Sequence, residues 1–192
     1  MTLRQLPVIP TIIVFAAVAT MIALGFWQLG RAEEKKALLA QYAAAVSSTE
    51  TIAFPLDAED AEASLFRQTT VTCDKVTGIT ARAGTSAKGA KGWAHHASCA
   101  IAGTDAVADV VIGWSRDPQS PVWDGGEVTG MIAPGPRIVA NPPQAGLQQV
   151  AAPDPADVPN NHLAYTGQWF FFALTALVIY FLAIRKRIKE QA

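Results

Sequence analysis

Two cysteines in 192 residues are too few for a disulfide-rich scaffold or a four-cysteine zinc site. Histidine is scarce too, at three. No GxSxG occurs, and the glycines of "GTSAKGAKG" do not lead from a strand into a helix, so they form no phosphate loop. With 15 basic and 16 acidic side chains the net charge is −1, which leaves no general basic surface for nucleic acid. The most telling absence is of charge from two long stretches. The 26 residues between Arg4 and Arg31 carry none, and neither do the 22 between His162 and Arg185. About 20 apolar residues suffice to cross a bilayer. A purely soluble protein is therefore excluded, and two such stretches are too few for a multi-span transporter. Elsewhere about a fifth of positions are charged, near the roughly 25% of soluble domains. The pattern is a soluble segment held between two membrane spans.

The first span is "VIPTIIVFAAVATMIALGFWQL", residues 8–29. It exceeds the roughly 7–15 apolar residues of a signal peptide, and so reads as an uncleaved anchor. The second is "LAYTGQWFFFALTALVIYFLAI", residues 163–184, followed at once by Arg185, Lys186, Arg187 and Lys189. That basic cluster marks the cytoplasmic side. Two spans then place both termini in the cytoplasm, Arg4 agreeing, and Gly30 to His162 outside it. No organelle presequence is visible, so the expected location is a bacterial inner membrane with a periplasmic domain.

The expected divisions are a cytoplasmic N-terminus (1–7), the first span (8–29), a helical extension and connector (30–66), a periplasmic β domain (67–152), an extended proline-stiffened strap (153–162), the second span (163–184) and a basic tail (185–192). "RAEEKKALLAQYAAAV" holds helix formers and no proline, so the first helix is expected to continue to about Val46. A short acidic helix is expected within "SSTETIAFPLDAEDAEASLF". From Arg67 the texture is β: "RQTTVTCD", "VTGITARA", "GWAHHASCAIA", "AVADVVIGW" and "EVTGMIA", separated by turn clusters such as "APGPR" and "NPP". The fold class is a membrane α + β protein, two transmembrane helices flanking one mostly antiparallel β periplasmic domain.

Cys73 and Cys99 each fall in a predicted strand. In an oxidising compartment they suit a disulfide; alternatively they are two buried thiols. The disulfide is the expectation carried forward. His95, His96 and Cys99 invite a metal reading, but neighbours on a strand face opposite ways and residues four apart are about 13 Å distant. No nucleophile–base pair is visible, so no enzyme is expected.

The outer ends of the spans carry more information. Trp27, Gln28 and Arg31 close the first; Asn160, Asn161 and His162 open the second, followed by Tyr165, Gln168 and Trp169. Either asparagine can cap the helix. His162, Tyr165 and Trp169 share a helix face. Interfacial Trp and Tyr are expected of any span. The glutamines are less expected, and they can lock two helices together by bonding to each other.

"LGFWQLGRAEEKKAL", "VVIGW" and "NNHLAYTGQWFFFALTALVIYFLAIRKR" resemble the surfeit locus protein 1 family. The likeness covers the whole architecture and is strongest in "NNHLAYTGQWF" and "WQLGR". The family often has arginine before the loop Gly–Trp; here Ile112 precedes Gly113 and Trp114. The resemblance implies an assembly factor for cytochrome c oxidase that helps deliver haem a to subunit I or stabilise it there. Its expected partners are subunit I and haem a synthase, besides the lipid bilayer. It also implies His162 as a haem iron ligand, with Trp169, Tyr165, Trp27 and Arg31 around the haem. The residues alone leave His162 open between a ligand and an interfacial histidine at a helix start. Two other functions fit the sequence: an oxidase-docking scaffold that never touches haem, and a periplasmic copper carrier using His95, His96 and Cys99.

Overall fold

The computed structural model describes residues 7–190. Arg4, read above as a cytoplasmic basic residue, lies outside them. The chain divides into two compact units. One joins the residues up to Leu38 with those from Pro159 onward; the other is Leu39–Val158.

The first unit is built on two helices. α1 spans Val8–Val46 and α3 spans His162–Glu190. Both are long and apolar enough to cross a membrane. Pro10 is tolerated in α1 because the first four N–H groups of a helix have no partner within it. No other proline interrupts either helix. The contacts run in opposite directions along the two helices, so the helices are antiparallel. Thr11 Oγ1 bonds the Tyr180 hydroxyl, Phe26 meets the Phe170 ring edge-on at 5.4 Å, and Gln28 bonds His162.

The second unit holds the last turns of α1, β1 (Thr51–Ile52), α2 (Ala58–Ala63), β2 (Gln68–Thr85), β3 (Lys91–Ile101), β4 (Val107–Ser115), β5 (Gly126–Ala133) and β6 (Arg137–Ala140). α2 is the short acidic helix; the Asp57 carboxylate accepts from the Asp60 amide at its start. Strand order is β1-β2-β3-β4-β6-β5, and β5 also pairs with β2, so five strands close into a ring. The sheet is mixed, which corrects the mostly antiparallel expectation. β1 runs parallel to β2, and β4 parallel to β6. β6 escapes a sequence reading because it is four residues long between turn clusters. β2 is a single strand of 18 residues where the sequence suggested two. Irregularities at Cys73/Lys75 and Val76/Gly78 bend it, so that its first part pairs with β5 and its second with β3.

Alternate residues face the ring interior, as the two-residue period of a strand requires. Val71, Ala97, Val110, Ile112, Val128 and Ile138 lie there, with Cys73 and Cys99. Ile112 is fully buried, a place where an unpaired arginine charge would be costly. A smaller cluster of Ala94, Val111, Ala133 and Val139 packs against Val150 of the returning segment. Trp114 is held from both sides: its amide donates to the Gln148 carbonyl at 2.7 Å and its indole N–H to the Gly84 carbonyl at 3.2 Å. Gly92 allows this, since a Cβ there would lie 2.5 Å from the Trp114 ring. Tyr42, near the end of α1, packs on Phe66 with ring centroids 4.9 Å apart. Burial and the Glu62 carboxylate raise the Tyr42 hydroxyl above its ordinary range. The strap toward α3 is not wholly extended; it contains a 3-10 turn at Pro155–Asp157, capped by Asp154.

Candidate functional site

His162 is the first residue of α3, and Gln28 lies three turns before the end of the α1 segment belonging to the same unit. His162 Nδ1 is 2.8 Å from Gln28 Oε1. A carboxamide oxygen only accepts, so Nδ1 carries the proton and donates. Among the described residues Nε2 makes no hydrogen bond. The Thr166 hydroxyl donates to the His162 carbonyl at 3.0 Å, and the Asn161 carbonyl accepts from the Tyr165 amide at 3.1 Å. These bonds fix the start of the helix that presents the imidazole.

Gln28 therefore pairs with His162, and the Gln28–Gln168 lock is not formed. Gln168 is exposed, and its side chain makes no hydrogen bond among the described residues. Nor do the side chains of Asn160 and Asn161, so neither caps α3 in the way the sequence suggested. Asn161 contributes its carbonyl alone. Near the pair, Trp27 is 57% and Tyr165 51% exposed, leaving aromatic surface uncovered by the chain itself. Trp169 is half-buried, its ring edge-on to Phe172 at 6.4 Å. Arg31 pairs with Glu34 one turn along, both exposed. Such a surface pair contributes about 0–1 kcal/mol, so the guanidinium exchanges partners easily.

The β unit holds the other two histidines. His95 is fully buried, and its Nε2 lies 2.9 Å from Ser115 Oγ. The Ser115 hydroxyl donates to the Asp117 carbonyl at 2.6 Å, so it accepts from His95 Nε2–H. His95 Nδ1 is buried with no partner. Burial lowers the imidazole pKa below its ordinary value, against the opposing pull of Asp117. His96 donates from Nδ1 to Asp109, whose carboxylate also lies 3.6 Å from Arg82. Cys73 and Cys99 are joined as a disulfide with Cα atoms 5.4 Å apart. The three groups of the copper reading are thus separately engaged, and Cys99 has no thiolate to offer. Among the described residues no cluster of three or more His, Cys, Asp or Glu suits a metal ion.

Asp109 and Ser115 were not singled out from the sequence. Asp109 lies in "AVADVVIGW" and Ser115 directly follows it, and a cross-strand register would have been needed to pair them with His96 and His95. The antiparallel register of the two apolar stretches would likewise have brought Gln28, at the end of one, to His162, at the start of the other.

Compared with known families, residues 15–174 match the SURF1 family. The chain belongs to that family. No curated protein matches it. The SURF1 family is associated with cytochrome oxidase assembly, as assembly factors rather than catalytic enzymes.

Proposed function

We propose that this SURF1 protein assists haem–copper oxidase assembly by holding haem a at the outer membrane boundary, for delivery to subunit I or stabilisation in it. The observation that carries this reading is the His162 imidazole, anchored by Gln28 through one nitrogen and, among the described residues, unbonded at the other, beside exposed aromatic rings. A neutral imidazole nitrogen is a haem iron ligand. His162 would hold the iron; Trp27, Tyr165 and Trp169 would cover part of the apolar macrocycle; Arg31 would meet a propionate after leaving Glu34. When bound, haem a supplies the redox-active iron that the oxidase uses, and this chain's residues serve to hold and shield it. The expected partners are subunit I and haem a synthase. A pure docking scaffold remains the rival, and it predicts no pigment.

The test is to replace His162 by Ala and purify the protein from cells that make haem a. The wild type should carry the haem spectrum and the variant should lose it with its helix content unchanged. Equal pigment in both defeats the reading. The same proposal places the protein in a bacterial inner membrane with both termini cytoplasmic. Arg185, Lys186, Arg187 and Lys189 support this. A reporter active only in the periplasm should work when inserted in the 86–90 turn and be silent after Ala192; the reverse pattern refutes the orientation.

A further inference from the structure

We infer that Gln28 is a positioning residue that fixes the tautomer of His162, so that Nε2 is the ligating atom and Gln28 sets its availability. The inference rests on the haem-holding reading of the site. His162 Nδ1 lies 2.8 Å from Gln28 Oε1. An unpaired neutral histidine in water carries its proton mostly on Nε2, the nitrogen that then cannot ligate. An acceptor facing Nδ1 reverses that preference by taking a hydrogen bond only from the Nδ1–H form. The remaining lone pair is then on Nε2, which makes no hydrogen bond among the described residues.

The two residues are 134 apart in sequence, and helix packing alone brings them together. Gly25, one turn before Gln28, lies so close to Phe170 that a Cβ there would be 2.7 Å from the ring. The Phe26–Phe170 edge contact lies beside it. The acceptor is therefore held at a set height on the partner helix, not carried on a mobile loop. This is the arrangement seen for histidines that bind metals, which donate their second ring N–H to an oxygen acceptor. Gln28 is a neutral acceptor, so it orients the ring without adding a charge.

The test has two arms. In the first, wild-type protein free of pigment is labelled with 15N on histidine, and the ring nitrogens of His162 are read by NMR. The expected result is a protonated Nδ1 and a bare Nε2. In the second, zinc protoporphyrin, which takes one axial nitrogen, is titrated and followed by its absorbance shift. Gln28→Leu should move the proton to Nε2 and weaken porphyrin binding about 10–100-fold, the usual cost of losing such a partner. Gln28→Glu, which keeps an acceptor, should hold the proton on Nδ1 and restore binding to within a few-fold of wild type. A bare Nδ1 in the wild type overturns the inference, and that measurement needs no variant to fold. So does wild-type binding by Gln28→Leu. Unchanged porphyrin binding by His162→Ala instead defeats the haem-holding reading, whatever tautomer the wild type shows.

Discussion

His96 Nδ1 lies 2.9 Å from one carboxylate oxygen of Asp109 and 3.0 Å from the other, across the β3–β4 pair. Arg82 on β2 completes a row of three charged or polar side chains across three strands. Burial alone would raise the Asp109 carboxyl. The hydrogen bond from His96 and the charges of His96, Arg82 and Arg137 outweigh it and hold the group below the usual carboxylate range. A carboxyl depressed by folding binds its proton less readily folded than unfolded. Its contribution is therefore complete above the unfolded value, about 3.9, and is lost as pH falls through the folded value. Asp109→Asn should cost about 1 kcal/mol at neutral pH, a charged hydrogen bond discounted for partial exposure. Urea midpoints of variant and wild type should converge as the pH is taken below about 4. A gap that stays constant with pH would assign the loss to packing.

His95 sets a second, higher pH window. Protonating it would place a new N–H at Nδ1, where no acceptor waits, and burial already holds the imidazole below its ordinary value. The unfolded chain takes up that proton first, at about pH 6.5. The stability linked to His95 is thus complete above that pH and declines as pH falls toward the folded value. His95→Leu should remove this part of the slope below about pH 6.5, while its stability at pH 7 stays within about 2 kcal/mol of wild type. It loses one hydrogen bond but also removes a buried unpaired nitrogen. The difference between variant and wild type isolates His95 from the other histidines. Parallel pH profiles for the two proteins would refute the assignment.

What could be read from the sequence was what local composition decides. Two uncharged stretches announce the two apolar helices, and the helix formers after Arg31 carry α1 through its charged turns to Val46. What could not be read depends on distant partners. The charged pair Asp74–Lys75 looks like a strand break, yet a bulge absorbs it and β2 continues to Thr85. "RIVA" is too short to declare itself, and the parallel pairing with β4 follows from β5 standing between them in the chain. At the ends of the two uncharged stretches, residue types singled out His162 and Gln28 separately. Only the helix register makes them a pair. Among the described residues the side-chain capping expected of the asparagines is absent, and Asn161 contributes only its carbonyl, which accepts from the Tyr165 amide.

The Cys73–Cys99 bridge ties β2 to β3 inside the ring and encloses a sequence separation of 26. In the chain-entropy account a loop of that size contributes about 3 kcal/mol by restricting the unfolded chain. The double variant Cys73→Ala, Cys99→Ala should lower the unfolding free energy of the β unit by about that much. Tryptophan fluorescence of the full-length protein follows it, since three of the five tryptophans, Trp93, Trp114 and Trp123, lie in the β unit and Trp114 is buried there. The intact mass of the wild type should rise by two hydrogens on reduction. Two thiols that alkylate freely without reductant would show that the bridge does not form.

At Gly25 the backbone of α1 lies against the Phe170 ring of α3. A Cβ at this position would lie 2.7 and 2.9 Å from two carbons of the Phe170 ring, closer than carbon atoms pack. In a membrane, helices associate through such close packing and through polar contacts, because lipid tails give no hydrophobic drive. Gly25→Val should force the Phe170 ring aside and cost about 1–3 kcal/mol of helix association, the usual range for overpacking. Gly30 has nothing within 4 Å of its own Cβ position, so Gly30→Val is the control and should leave association unchanged. The readout is cross-linking by a bifunctional thiol reagent between cysteines placed at Thr11 and Tyr180, which are hydrogen-bonded at the other end of the pair. In a background where Cys73 and Cys99 are replaced, Gly25→Val should reduce the yield and Gly30→Val should not. Phe170→Ala added to Gly25→Val should restore it by making room for the valine. Full cross-linking in Gly25→Val alone would mean that the helices are held together without this contact.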